Sequence, residues 1–231
     1  MAIGLQPSMP LRGRVVFDAT TLGAPANLLG IDVALAPVQT LTNLSAVLRV
    51  PAKTDAAGVF ALVGVTPGRY SFQASVPTGI GAPGTWMLKS AVVRGRDVLD
   101  FPVEIGPNDT ISDVVLTLTD ATQELAGTLE DASGRHPAGF GVVIFPADPR
   151  YWITPSRRIR TTQPATDGSF VVKNLPVGNY RIAAVRDLSP DDATDAAFLE
   201  QLMTSSIPFT LAAGERKTQK LTIREPRKPH S

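Results

Sequence analysis

The stretch TDAAGVFALVGVTPGRYSFQA, Thr54–Ala74, returns as TDGSFVVKNLPVGNYRIAA, Thr166–Ala184, with two residues fewer in its first turn. Gly58, Phe60, Gly68 and Tyr70 fall on Gly168, Phe170, Gly178 and Tyr180 at one constant offset, and the apolar positions between them correspond. Asp followed closely by Gly ahead of an aromatic is a turn, because Asp accepts local backbone hydrogen bonds and Gly tolerates positive φ. Asp55 and Asp167 therefore read as turn formers. Beyond the turn, Phe60 and Leu62, like Phe170 and Val172, alternate with smaller or polar residues, the period of a half-buried strand. Pro67-Gly68 fits the central positions of a type II turn, and Gly178 with Pro176 nearby suits the equivalent bend. The second arm carries Tyr70, Phe72 and Ala74, matched by Tyr180, Ile182 and Ala184. Each copy thus centres on a hairpin whose aromatic pairs, Phe60/Tyr70 and Phe170/Tyr180, flank one side.

The repeat extends outward. LRGRVVFD from Leu11 matches LAGTLED from Leu125, and VLTLTD ending at Asp120 matches KLTIRE ending at Glu225. The chain reads as two units of about 110 residues each. They span 11–120 and 121–225, after an N-terminal extension at 1–10 and before a tail at 226–231. Further strands are expected at Leu11–Asp18, Ile31–Ala36, Ala46–Val50, Met87–Val93 and Asp113–Thr119, then at Gln123–Asp131, Gly141–Phe145, Arg157–Thr162, Ile207–Leu211 and Gln219–Arg224. Seven short strands per unit, separated by turn signals, describe an all-β protein built as two tandem Greek-key β-sandwiches. Composition agrees: 22 Val and 22 Thr favour strands, while 19 Gly and 20 Pro supply turns. One short helix is expected in the second unit, in PDDATDAAFLEQLM. Asp191, Asp192 and Asp195 crowd its start, and Phe198, Leu199 and Leu202 give it an apolar stripe.

The run Gly168-Ser169-Phe170 through Leu175-Pro176-Val177-Gly178-Asn179-Tyr180 resembles the carboxypeptidase regulatory-like domain family, whose fold is a transthyretin-like or Ig-like β-sandwich related to starch-binding-like domains. Thr66 replaces the first proline of that family's usual Pro-Pro pair in the first unit, and Val177 the second in the second unit. The longer stretches TWMLKSAVVRGRDVLDFPVEI, FPADPRYWITPSRRIRTTQPATDGSF and DDATDAAFLEQLMTSSIPFTLAAGERKTQKL look like tandem-repeat proteins of acidobacteria and related environmental bacteria. The resemblance runs from Leu11 to Glu225. It implies a periplasmic, cell-surface or secreted setting, although the opening MAIGLQPSMP does not read as a secretory signal.

Charge and composition narrow the function. Lys+Arg 22 against Asp+Glu 21 leave a net charge of +1, which provides no electrostatic footprint for nucleic acid. With no Cys, disulfides, thiolate nucleophiles and Cys-ligated metals are excluded. No apolar run is long enough for a membrane span. His136, in the turn ASGRHPAG, and His230, beside the C-terminus, are the two imidazoles. Neither is placed as a general base beside a nucleophile, so no catalytic residues, metal site or cofactor are expected and the protein reads as no enzyme. GIGAPG, Gly79–Gly84, satisfies the dinucleotide glycine pattern but precedes a strand rather than a helix, so it reads as a loop. Asp187, Asp191, Asp192 and Asp195 lack the glycine-turned loop of an EF-hand.

One composition stands apart. DPRYWITPSRRIR sets Tyr151 and Trp152 beside Arg150, Arg157, Arg158 and Arg160, flat rings and planar guanidinium groups of the kind that stack sugars or peptides. Trp86 is the chain's other indole. Tyr151, Trp152, Arg157, Arg158 and Trp86 form the candidate ligand site. Packing at the sandwich ends or between domains is the commoner use of such loop aromatics. The leading expectation is a non-enzymatic module of the cell envelope or secreted fraction that binds or presents, with an envelope protein as partner or a polysaccharide, the ligand class that the resemblance to starch-binding-like sandwiches implies. The alternatives are a structural spacer, an assembly unit pairing through sheet edges, or an accessory domain of a larger enzyme.

Overall fold

The computed structural model describes residues 9–38, 49–77, 85–189 and 191–223. The chain divides into two units, Met1–Ala121 and Thr122–Ser231. The first contains β1 (Met9–Asp18), β2 (Asp32–Pro37), β3 (Val50–Lys53), β4 (Val59–Val65), β5 (Gly68–Ser75), β6 (Met87–Val93), β7 (Arg96–Asp97), β8 (Val103–Ile105) and β9 (Ile111–Thr119). These form two sheets, β4-β1-β9-β6-β7 and β3-β2-β5-β8. The second contains β10 (Glu124–Asp131), β11 (Phe140–Pro146), β12 (Arg160–Thr162), β13 (Ser169–Lys173), β14 (Gly178–Arg186), α1 (Ala196–Leu202), β15 (Ile207–Leu211) and β16 (Arg216–Ile223). Its sheets are β13-β10-β16 and β12-β11-β14-β15. Both units are all-β sandwiches, and the single α-helix among the described residues lies in the second.

The repeated motif is β4 followed by β5 in one unit and β13 followed by β14 in the other, and it is not the expected hairpin. β4 pairs with β1 and β13 with β10, whereas β5 pairs with β2 and β14 with β11, so the bend between the two arms carries the chain from one sheet of the sandwich to the other. Asp55 Oδ1 accepts from the N–H groups of Ala57 and Val59, and Gly58 supplies φ of +81°. Asp167 Oδ1 accepts from the N–H and hydroxyl of Ser169, and Gly168 sits at φ +75°. The inward positions, Phe60, Leu62, Tyr70 and Phe72, join one buried core, and Phe170, Val172, Tyr180 and Ile182 join the other. The next bend is not the expected type II turn. Gly68 already belongs to β5, paired with Ile105, and positive φ falls on Gly64 (+87°) and, in the second copy, on Asn174 (+63°) and on Gly178 (+154°) at the start of β14. The reversal is held instead by tyrosine: the Tyr70 hydroxyl donates to the Thr66 carbonyl at 3.0 Å and that of Tyr180 to the Pro176 carbonyl at 2.7 Å.

Corresponding strands occupy corresponding places, β1–β5 with β10–β14, β8 with β15 and β9 with β16. The two units differ in the slot that follows this motif. In the first it holds β6 and β7, and β6 pairs antiparallel with β9 to widen the sheet. In the second it holds α1, which brings Leu199, Phe198 and Leu202 onto Val143, Phe145 and Ala183. Alternation places those three strand residues on the face opposite Val142, Ile144 and Ile182, so β11 is buried on both sides. Full burial of Leu199 contributes about 2 kcal/mol.

Other boundaries shift for physical reasons. The first unit has nine strands rather than seven, because the two-residue β7 and three-residue β8 carry too few positions to show a period. Residues 46–48 lie outside the described residues and the third strand is Val50–Lys53. Arg157–Ile159 belong to a loop, so the expected Arg157–Thr162 strand shortens to Arg160–Thr162. The helix is also shorter: Asp195 caps it by accepting from Ala197 N–H at 2.9 Å, and Asp192 braces the preceding turn through Ser189 N–H at 2.8 Å. Met9 and Pro10 open β1 rather than an extension. Gly79–Gly84, the tail at 226–231 and His230 lie outside the described residues.

Candidate functional site

The aromatic and arginine cluster occupies the loop between β11 and β12. Pro149–Tyr151 form a single 3-10 turn, capped by Asp148, whose Oδ1 accepts from Arg150 N–H at 3.0 Å. The Arg150 guanidinium returns to the same carboxylate at 2.6 Å and holds it below the usual carboxylate range. Trp152 follows. Its indole N–H donates to the Pro146 carbonyl at 2.9 Å, and its ring meets Phe145 edge-on at 5.9 Å, within the layer that α1 completes. Arg158 lies 4.7 Å above the Tyr151 ring and donates to the Val177 carbonyl at 2.9 Å and the Tyr180 hydroxyl at 3.1 Å. Arg160 donates to the carbonyls of Ser156 and Ile159, and burial lowers its guanidinium from the usual value.

Tyr151, Trp152 and Arg158 are thus brought together, with Arg157 half-buried beside them. The Trp152 indole and the Arg158 guanidinium both donate to acceptors of the second unit itself. Trp86 belongs to the first unit, where it is 7% exposed and meets Phe17 edge-on at 4.6 Å. It is a core residue, because a flat apolar ring at the start of β6 closes the sandwich next to Phe17. A stacking platform needs an open ring face, which the buried Trp86 does not offer; Trp152 is half-buried, with its indole N–H committed to the Pro146 carbonyl.

In the first unit an open cleft of about 470 Å³ lies at the bend between β4 and β5, lined by Pro37, Val50, Thr66, Pro67 and Tyr70. Pro37 is the register partner of Tyr70, as Pro146 is of Tyr180. In the second unit Arg158 reaches the corresponding residues, donating to the Val177 carbonyl and the Tyr180 hydroxyl. Residues 39–48, which follow Val38 at the cleft, lie outside the described residues.

The remaining candidates are engaged locally. His136 is exposed, its Nδ1 lies 3.0 Å from the Leu129 carbonyl, and its ring stands beside Gly168, whose added Cβ would lie 3.0 Å from His136 Cγ. Among the described residues no group of three or more His, Cys, Asp or Glu could hold a metal ion, and no helix is long and apolar enough to cross a membrane. The most heavily bonded carboxylate was not legible in the sequence. Asp120, just past β9, accepts from the N–H groups of Thr20, Thr21 and Leu22 and from both threonine hydroxyls, at 2.6 to 2.8 Å. Burial would raise its pKa, but the N–H of Thr20, the hydroxyl of Thr21 and the N–H of Leu22 outweigh it and hold the carboxyl well below its usual range. The partners are about 100 residues away, so no local spacing signals them.

No family model matches the chain, and no curated protein matches it. Solved structures do. The minor pilin GBS52 of Streptococcus agalactiae is 11% identical with a TM-score of 0.38, over 96% of this chain and 98% of that one. The shaft pilin SpaA of Lactobacillus rhamnosus GG is 12% identical at 0.32, over 97% and 100%. The Bacillus anthracis TIE protein is 16% identical at 0.30, over 94% of this chain but 34% of its own length, so the chain spans about a third of it. Likeness at these scores carries no functional argument.

Proposed function

We propose that this chain is a non-enzymatic structural module, a spacer in which two sandwiches carry a polypeptide from one point to another. The observation that carries this reading is the direction of the terminal strands. β1 and β9 pair in parallel, and so do β10 and β16. In each unit the chain therefore enters at one end of the sandwich and leaves at the other. Antiparallel terminal strands would return it to its starting point. The inward commitment of Trp152 and Arg158 supports the same choice over ligand binding. The repeated glycine-and-tyrosine motif supports membership of the carboxypeptidase regulatory-like family and, with it, a periplasmic, cell-surface or secreted setting.

Trp152→Ala separates this reading from carbohydrate recognition. As a packed residue, Trp152 leaves a cavity and an unpaired Pro146 carbonyl, at a cost of about 3 kcal/mol. The expected result is a clear fall in the urea midpoint, together with no saturable binding by the parent protein on a glycan array. Saturable glycan binding that Trp152→Ala abolishes without altering stability would overturn the proposal.

A further inference from the structure

We infer that the parallel terminal ladders are mechanical clamps, and that Asp120 locks the exit of the first one; the inference rests on the spacer reading and gives it a load-bearing form. When two adjacent parallel strands are pulled from opposite ends, they slide along each other. Every ladder hydrogen bond between them then bears load at once. Pulled from the same end, the strands peel and the bonds break one after another. Each bond is individually weak, so the geometry decides the resistance, and forced unfolding reads the unfolding barrier rather than equilibrium stability.

The geometry is that of sliding in both units. In the first, the register is continuous from Gly13↔Val114 to Asp18↔Thr119. In the second, it runs unbroken from Glu124↔Arg216 to Asp131↔Ile223. Tension through the chain pulls β1 toward its start and β9 toward its end. Side chains reinforce the place where β9 leaves. The Thr119 hydroxyl donates to the Asp18 carbonyl at 2.9 Å. One residue further on, Asp120 grips Thr20, Thr21 and Leu22 just beyond the end of β1. Hydrogen bonds to a carboxylate are the stronger kind, and these stand where tension from the following segment enters the sandwich. In the second unit, Lys220 and Glu130 add an ion pair across the β10–β16 ladder at 2.6 Å.

Single-molecule pulling on the full chain tests this, and the absence of cysteine makes introduced thiols unique handles. Pro10→Cys with Thr122→Cys slides β1 against β9; Pro10→Cys with Thr110→Cys peels them from one end. The sliding pair is expected to unfold at a force roughly twofold or more above the peeling pair, since bonds loaded together resist together. Adding Asp120→Ala is expected to lower the sliding force by roughly a third and leave the peeling force unchanged. Equal forces in the two geometries overturn the clamp, and an unchanged sliding force in Asp120→Ala removes the lock. The geometry comparison needs no Asp120 variant, so it stands even where that variant folds poorly. Failure here leaves the spacer reading intact, whereas glycan binding through Trp152 would defeat the spacer reading without changing either force.

Discussion

At Gly13 and Gly127 the aromatic ring of the facing strand lies across the backbone. Gly13 pairs with Phe60 and Gly127 with Phe170. A Cβ at Gly13 would stand 2.7 Å from Phe60 Cζ, and one at Gly127 would stand 2.8 Å from Phe170 Cε1. On the other side it would collide with the carbonyl of Val114 or Gln219, in the parallel partner strand. Neither obstacle can move freely, because one is a core ring and the other is ladder backbone. Gly127→Ala is therefore expected to destabilise the second unit by about 3 kcal/mol, at the upper end of ordinary overpacking. Gly23→Ala, where nothing lies within 4 Å, is the control and should change stability little. Urea denaturation of both variants checks this, and equal effects would show that the rings are not what reserves these positions for glycine.

The contrasting insertions after β5 and β14 show what an element needs beyond its own sequence. α1 is only seven residues long, too short to persist alone. It is fixed by Arg181 on β14, whose guanidinium donates to the Ser206 hydroxyl at 2.7 Å and to the carbonyls of Met203 and Ser206 at 2.5 and 2.8 Å. These lie at and just beyond the helix end, where carbonyls lack helical partners. Arg181→Met keeps the length of the side chain but removes its donors, and is expected to cost about 2 kcal/mol. Hydrogen exchange should quicken in α1 while the β10–β16 ladder stays protected; uniform quickening would mean that Arg181 serves the whole unit. The same contrast explains what the sequence could reveal. The turns ahead of β4 and β13 were legible because Asp55, Gly58, Asp167 and Gly168 act on neighbours a few residues away, whereas the passage of the next bend from one sheet to the other was not, because each arm's pairing partner lies far along the chain. The inward turn of Trp152 was not, because it depends on Pro146, Phe145 and a helix some forty residues later. The Tyr70 and Tyr180 corners likewise replaced a type II turn that Pro67-Gly68 permits but Gly68's pairing with Ile105 rules out.

In both units, among the described residues, hydrogen bonds hold carboxyls below their ordinary range in the folded state: Asp109, Asp120, Asp131, Asp148, Asp167 and Glu215. For Asp131 the Ser133 hydroxyl contributes most, followed by the N–H of Arg135; with the Ser133 N–H and the Arg135 charge they outweigh burial and bring the carboxyl from 3.8 to about 2. A carboxyl that ionises more readily when folded binds fewer protons in the native state than in the unfolded chain, so its stabilisation is complete above the unfolded value. It is lost as the pH falls through the folded one. For Asp131 that window runs from about pH 4 down to about pH 2. Each unit has its own indole, Trp86 in the first and Trp152 in the second, so Trp86→Phe leaves a chain whose fluorescence reports the second unit. In that background the urea midpoint is expected to hold steady from pH 7 to pH 5 and then fall steeply toward pH 2. Asp131→Asn, which cannot ionise, should start with a lower midpoint at neutral pH and lose less of it on acidification. Parallel acid curves for the two proteins would show that the Asp131 turn does not carry the acid sensitivity, leaving Asp148, Asp167 and Glu215 as the second unit's remaining low carboxyls.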